Sequence, residues 1–151
     1  KIQAQERLKI TEAELEQTKL TTAELAKRLA PRTLTTEQRE RFIKFLSKTV
    51  KGPVVLEHSG QAVETIKFTE GIRSLLVASG FTISAYNMPL GYVFKEAPDP
   101  WFITVIVIAG KHPAYAESLI LAFKEMGIDV LLGNGEGISS PGEVKVYVGA
   151  K

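Results

Sequence analysis

The chain has 151 residues, 44% of them apolar and 24% charged, a composition that excludes a disordered chain. With 19 basic and 17 acidic residues the net charge is +2, too balanced for a nucleic-acid or membrane-surface footprint. Cysteine is absent, which excludes disulfides, thiolate nucleophiles and thiolate metal sites while leaving the compartment open.

Residues 2–29 contain neither Pro nor Gly and predict one long N-terminal helix. Leu8, Leu15, Thr22 and Leu29 fall on a seven-residue repeat, with Ala4, Thr11, Thr18 and Leu25 on the complementary positions. The seam is poor because Thr holds most of its middle. Fully helical, the segment would span about 45 Å. Thr21-x-x-Glu24 is a competing capping-box pattern that would restart the helix near Thr22. The expectation is a homo-oligomer through residues 1–30, with Leu8, Leu15, Thr22, Leu25 and Leu29 at the interface. The alternative is a lone helix, lying on its own domain or projecting into solvent. The chain opens at Lys1 within this pattern, so an anchor upstream stays open. Lys27, Arg28, Arg32, Arg39 and Arg41 cluster near the junction, either as a solvated face or as a contact for anions.

Pro31 ends the helix, and an α/β domain is expected over residues 34–151. Thr35 with Gln38 forms a capping box, and Phe42, Ile43, Leu46 and Val50 form an apolar stripe behind it. Pro53-Val54-Val55-Leu56 is a short apolar run suited to a strand buried on both faces, β1. A helix follows over about residues 61–79, with Ala62, Ile66, Thr69, Ile72 or Arg73, and Leu76 inward and Gly80 as terminator. Residues 81–86 alternate and predict a half-exposed edge strand, β2.

Residues 87–100 form a Pro-containing loop with an extended stretch expected at Gly91–Phe94. Its Met88, Leu90, Tyr92, Val93 and Phe94 either cover a sheet edge or offer a protein-contact surface. Trp101 to Ala109 is the most apolar segment and predicts the central strand, β3. Pro113 starts a third helix with Ala116, Leu119, Ile120 and Phe123 inward and Gly127 at its end. Ile128–Leu132 predicts β4. The Gly-rich residues 133–142 form a connector, and Glu143–Val148 predicts β5, wet on the side of Lys145 and Tyr147.

Two strand–helix–strand units predict a mostly parallel five-stranded sheet in a three-layer, flavodoxin-like sandwich. The two apolar strands should be central neighbours, giving the order 2-1-3-4 with β5 added, antiparallel and unplaced. Crossovers leaving β1 and β3 in opposite directions would put their helices on opposite faces.

In such sheets ligands bind beyond the carboxyl ends of the strands, where crossovers diverge. The β1 and β3 exits carry both histidines of the chain: His58-Ser59-Gly60 and Lys111-His112. Each precedes a helix N-terminus, which favours an anion. His58, Ser59, Gly60, Lys111 and His112 are therefore the candidate ligand-binding residues. Equally, polar residues and Gly are what any strand-to-helix turn requires, and Ser59 or Gln61 would serve as a helix cap. No metal site is expected, since two His with Glu57 are too few donors. No catalytic residues are expected either: His58-Ser59-Gly60 lacks the first Gly of a nucleophile elbow. Gly133-x-Gly135-x-Gly137 precedes a strand, where a phosphate loop needs a helix.

Leu34-Thr-x-Glu37-Gln38 after Pro31-Arg32, Ser59-Gly60, Gly80, and the closing Val146-x-Val148-Gly149-x-Lys151 form a set. In these the chain resembles the C-terminal soluble domain of uncharacterised bacterial membrane-anchored coiled-coil proteins. The resemblance implies a membrane anchor before Lys1 and a stalk at residues 1–30; the expected location is the cell membrane, with the domain on the cytoplasmic side. It implies no activity and no cofactor. The expected function is a non-enzymatic oligomerisation and interaction module with an unidentified protein partner. The alternative is a sensor of a small anionic ligand or nucleotide at the carboxyl edge of the sheet.

Overall fold

The computed structural model describes residues 30–88, 97–108, 110–136 and 139–151. The chain divides into two units, Lys1–Pro31 and Arg32–Lys151. The expected N-terminal helix, with Leu8, Leu15, Thr22, Leu25 and Leu29, lies outside the described residues, as does the expected extended stretch at Gly91–Phe94.

The second unit is an α/β domain with elements in this order: α1 (Thr36–Leu46), β1 (Pro53–His58), α2 (Val63–Ala78), β2 (Thr82–Asn87), β3 (Ile103–Val107), α3 (Tyr115–Glu125), β4 (Leu131–Asn134) and β5 (Lys145–Val148). Local chemistry starts and stops the helices. At α1 the Gln38 N–H donates to Thr35 Oγ1 at 3.1 Å and the Thr35 N–H to Gln38 Oε1 at 2.9 Å, the expected capping box. Helices α2 and α3 end alike. Gly80 and Gly127 take φ of 98° and 79°, and the next N–H, from Phe81 or Ile128, reaches back to Leu76 or Phe123 at 3.0 Å. Phe81 and Ile128 are both buried, so the turn that ends each helix also drives an apolar residue into the core. Val50 was expected on the α1 stripe but lies past the helix end and is 81% exposed.

The sheet has the order β2-β1-β5-β3-β4. This corrects the expected 2-1-3-4: β1 and β3 are not neighbours, and β5 lies between them. β5 runs parallel to β1 and antiparallel to β3, while β2 is parallel to β1 and β4 to β3. The sheet is therefore mixed, with β3 and β4 running opposite to the other three.

That reversal also corrects the three-layer flavodoxin-like sandwich. The crossovers leave β1 and β3 in opposite directions from strands of opposite sense. Right-handed connections then put both helices on one face of the sheet. Accordingly α1 touches both α2 and α3, and one apolar cluster joins all three helices to the sheet. Its floor is the row Leu56, Val146 and Val105, paired across β1, β5 and β3, with Val54, Val144, Val148, Ile103 and Val107 on the same face. Above it the Phe42 ring of α1 meets the Phe123 ring of α3 edge-on, with centroids 5.2 Å apart.

The expectation of a wet side on β5 is corrected too. Lys145 and Tyr147 occupy the sheet face turned from the helices, but Lys145 is only 6% exposed. Its Nζ lies 3.2 Å from Glu57 Oε1 of the adjacent strand and 3.4 Å from Glu143 Oε1. The Lys reads as solvent-facing because periodicity carries no information about a neighbouring strand's charge.

Candidate functional site

The sheet presents two carboxyl edges at opposite ends, and the five candidate ligand residues are divided between them. Register places His58, Val148 and Ile103 at one level, so His58 ends β1 where β3 begins. His112 lies past the other end of β3. The strand body between the two levels is about 13 Å long at ~3.3 Å per residue. The single crevice expected from His58, Ser59, Gly60, Lys111 and His112 is thus not assembled, because its premise, parallel neighbouring β1 and β3, does not hold.

At the first edge, His58 is 7% exposed and its ring lies 5.6 Å from that of Tyr86 on β2. Its Nδ1 is buried without a hydrogen-bond partner. The Arg73 guanidinium, from α2, stands 5.6 Å from the Tyr86 ring centroid. Burial foremost, and then the nearby Glu70 carboxylate, push the Tyr86 phenol above its ordinary value, with Arg73 opposing. Ser59 donates its N–H to Val148 O at 2.9 Å, and Gly60 takes a φ of 62°. Neither Ser59 nor Gln61 caps α2; the N-cap is Ala62, without a side-chain hydrogen bond. The first turn instead holds Glu64, whose carboxylate already opposes the helix dipole.

Glu64 belongs to the most elaborate polar arrangement at this edge, centred on Arg32. The Arg32 Nη2 donates to Glu64 Oε1 at 2.7 Å, and Nε to its Oε2 at 3.0 Å. Nη1 donates to the carbonyls of Trp101 at 2.7 Å and Gly149 at 2.9 Å. The guanidinium lies 4.6 Å from the centroid of Phe68, whose ring stacks on Trp101. One side chain thereby joins the first residue of the domain, the α2 N-terminus, the approach to β3 and the exit of β5. Reading Arg32 as one of a solvated or anion-contacting basic cluster is corrected: it is 6% exposed and its donors are taken internally. Sequence offered no cue beyond its place after Pro31.

At the second edge, Lys111 is exposed and its carbonyl accepts the Gly142 N–H at 2.8 Å. The His112 Nε2 lies 3.6 Å from Glu117 Oε1, and its Nδ1 is buried without a partner. The N-cap of α3 is Ala114, without a side-chain hydrogen bond, and Glu117 again occupies the first turn. Among the described residues no three His, Cys, Asp or Glu side chains gather to hold a metal ion, and no helix is long and apolar enough to cross a membrane.

No family model, curated protein or solved structure matches the chain. The fold and the chemistry of its two edges therefore carry the functional argument by themselves.

Proposed function

We propose that the chain is a non-enzymatic interaction module, self-associating through residues 1–30 and presenting the α/β domain to a protein partner. The observation that supports this reading most is the Arg32 joint. A domain presented by a preceding segment gains from a first residue held without play. Arg32, directly after Pro31, is buried and tied to Glu64, Trp101 and Gly149. Within the arrangement, the Arg32 donors serve the Glu64 carboxylate and two backbone carbonyls. The resemblance adds an anchor upstream of Lys1 in a bacterial protein, and the domain is proposed to lie on the cytoplasmic side.

Light scattering on the full chain tests the reading. The wild type should exceed monomer mass at tens of micromolar. The variant Leu8→Glu, Leu15→Glu, Leu29→Glu should lose mass while keeping its α/β circular dichroism. An unchanged mass in that variant overturns self-association through residues 1–30.

A second reading, a sensor of a small anionic ligand, retains His58, Ser59 and Gly60 only. It is favoured by the unpartnered His58 Nδ1 and opposed by Glu64 in the adjacent helical turn. Amide chemical-shift mapping against phosphate and a nucleotide panel decides. Shifts gathered at residues 58–60 support it; their absence at millimolar ligand excludes it.

A further inference from the structure

Three elements converge where β1 and β2 end. Leu56 lies on the helix-covered face, so His58, two residues on, belongs to that face as well. Tyr86 joins them there, because it pairs with Leu56 in parallel register. Helix α2 packs over both strands and sends the Arg73 guanidinium over the Tyr86 ring, 5.6 Å from its centroid. The His58 ring meets the same Tyr86 at 5.6 Å. His58 is more than nine-tenths buried, yet its Nδ1 has no hydrogen-bond partner. A buried polar atom left in that state costs stability until something meets it.

A groove of about 500 Å³ runs along α2 from the Arg73 end. Among the described residues its lining is Glu70, Arg73, Ser74, Val77 and Ala78, one stripe of the helix. The stripe is charged at Glu70 and Arg73 and apolar one turn on, where Val77 is 56% exposed. Arg73 Nη1 lies 3.7 Å from Glu70 Oε2, too far for a hydrogen bond. The guanidinium therefore keeps donors for an incoming anion.

We propose that this groove binds a small monocarboxylic acid with an unbranched apolar tail. Arg73 and the His58 Nδ1 take the carboxylate beside Tyr86, and the tail lies along Val77 and Ala78. The inference rests on the second reading above, the anionic-ligand sensor, and names its ligand class and its residues beyond the His58 turn. A carboxylate serves the guanidinium and the ring nitrogen together, the imidazole carrying its proton on Nδ1. An acid end followed by methylenes matches the order of Arg73, then Val77 and Ala78. A free phosphate would fill the charged end alone and leave the apolar turn wet. Glu70 competes with the ligand for Arg73, which keeps binding weak.

Nuclear magnetic resonance on the full chain tests this, with hexanoate, acetate, hexylammonium and inorganic phosphate as probes. Hexanoate should shift the amides along Glu70–Ala78 and the His58 ring, while the ring of His112, at the other edge, stays still. Acetate should bind about tenfold more weakly, at about twofold per half-covered methylene. Arg73→Gln should weaken hexanoate about tenfold, and Glu70→Gln, which releases Arg73, should tighten it about twofold. Val77→Ser should narrow the gap between hexanoate and acetate. All three positions are at least half exposed, so the fold survives these changes. No shift along α2 at millimolar hexanoate, equal binding of hexylammonium, or hexanoate binding unchanged in Arg73→Gln overturns the proposal. Shifts confined to residues 58–60 and produced equally by phosphate overturn it while leaving the second reading standing. Silence with every probe removes both.

Discussion

The Glu64 carboxylate accepts both the backbone N–H of Arg32, at 2.8 Å, and its guanidinium, at 2.7 Å. It therefore fixes main chain and side chain of the same residue. The Arg32 side chain is 1% exposed and that of Glu64 23%, so the pair is largely desolvated. Removing one partner of such a pair strands the other's charge or donors. Arg32→Ala should cost about 3–5 kcal/mol in urea unfolding. Arg32→Lys should recover less than half of that, because an ammonium cannot meet Glu64, Trp101 and Gly149 in one plane. A lysine variant as stable as the wild type would show that charge alone matters.

The same pair sets an acid-side dependence. Burial pushes the Glu64 carboxyl upward, but the Arg32 hydrogen bonds, the Arg32 charge and Lys151 together outweigh it and leave it below the ordinary glutamate value. A depressed folded-state value means the unfolded chain binds more protons. The contribution is complete above the ordinary carboxylate range and is lost as pH falls through the folded-state value. Stability measured from pH 7 downward should fall more steeply for the wild type than for Glu64→Gln, with the two curves converging in acid. Parallel curves would exclude Glu64 as a source of the acid dependence.

Tyr115 closes the base of α3 onto the start of β1. Its hydroxyl donates to the Pro53 carbonyl at 2.7 Å, and its ring covers Gly52, where an added Cβ would sit 2.5 Å from Cε1. Gly52→Ala should cost about 1–3 kcal/mol through overpacking, and Tyr115→Phe about 1 kcal/mol through the lost hydrogen bond. Burial pushes this phenol above its ordinary value. Its contribution is present below the ordinary tyrosine value and fades as pH rises through the folded-state value. Ultraviolet titration should show one fewer late-ionising tyrosine in Tyr115→Phe.

Phe123 is fully buried between α1 and the sheet. Phe123→Ala should cost about 3–5 kcal/mol, mostly as a cavity that three helices cannot collapse to fill. Phe123→Leu should cost well under half as much. Chemical unfolding with an unchanged m-value checks both; a cost below 1 kcal/mol for Ala would mean that the helix layer repacks freely.

Much of the domain was legible before any coordinates. Thr35 with Gln38, Gly80 and Gly127 marked helix ends, because caps act within a few residues of chain. The apolar runs beginning at Pro53 and Trp101 marked strands for the same local reason. The candidate site was not legible. His58 and His112 each sit at a strand-to-helix turn, as read, but which end of the sheet each turn occupies depends on strand direction. β5 reversed that reading by entering between β1 and β3. The sequence left β5 unplaced and its Lys145 side read as wet, whereas Glu57 of the next strand allows that Lys into a central position.

What the sequence determined by itself is the order of the elements over residues 34–151 and several helix ends, since capping, periodicity and glycine geometry are short-range; strand bounds were less legible, and β4, expected at Ile128–Leu132, lies at Leu131–Asn134. Only the tertiary structure decided which strands meet, which edge each histidine faces, and that Arg32 and Lys145 are interior residues. Those outcomes rest on opposite charges brought together from distant parts of the chain: Arg32 with Glu64, and Lys145 with Glu57. A buried charge is tolerable only beside its partner, and one-dimensional order does not say which partner the fold will deliver.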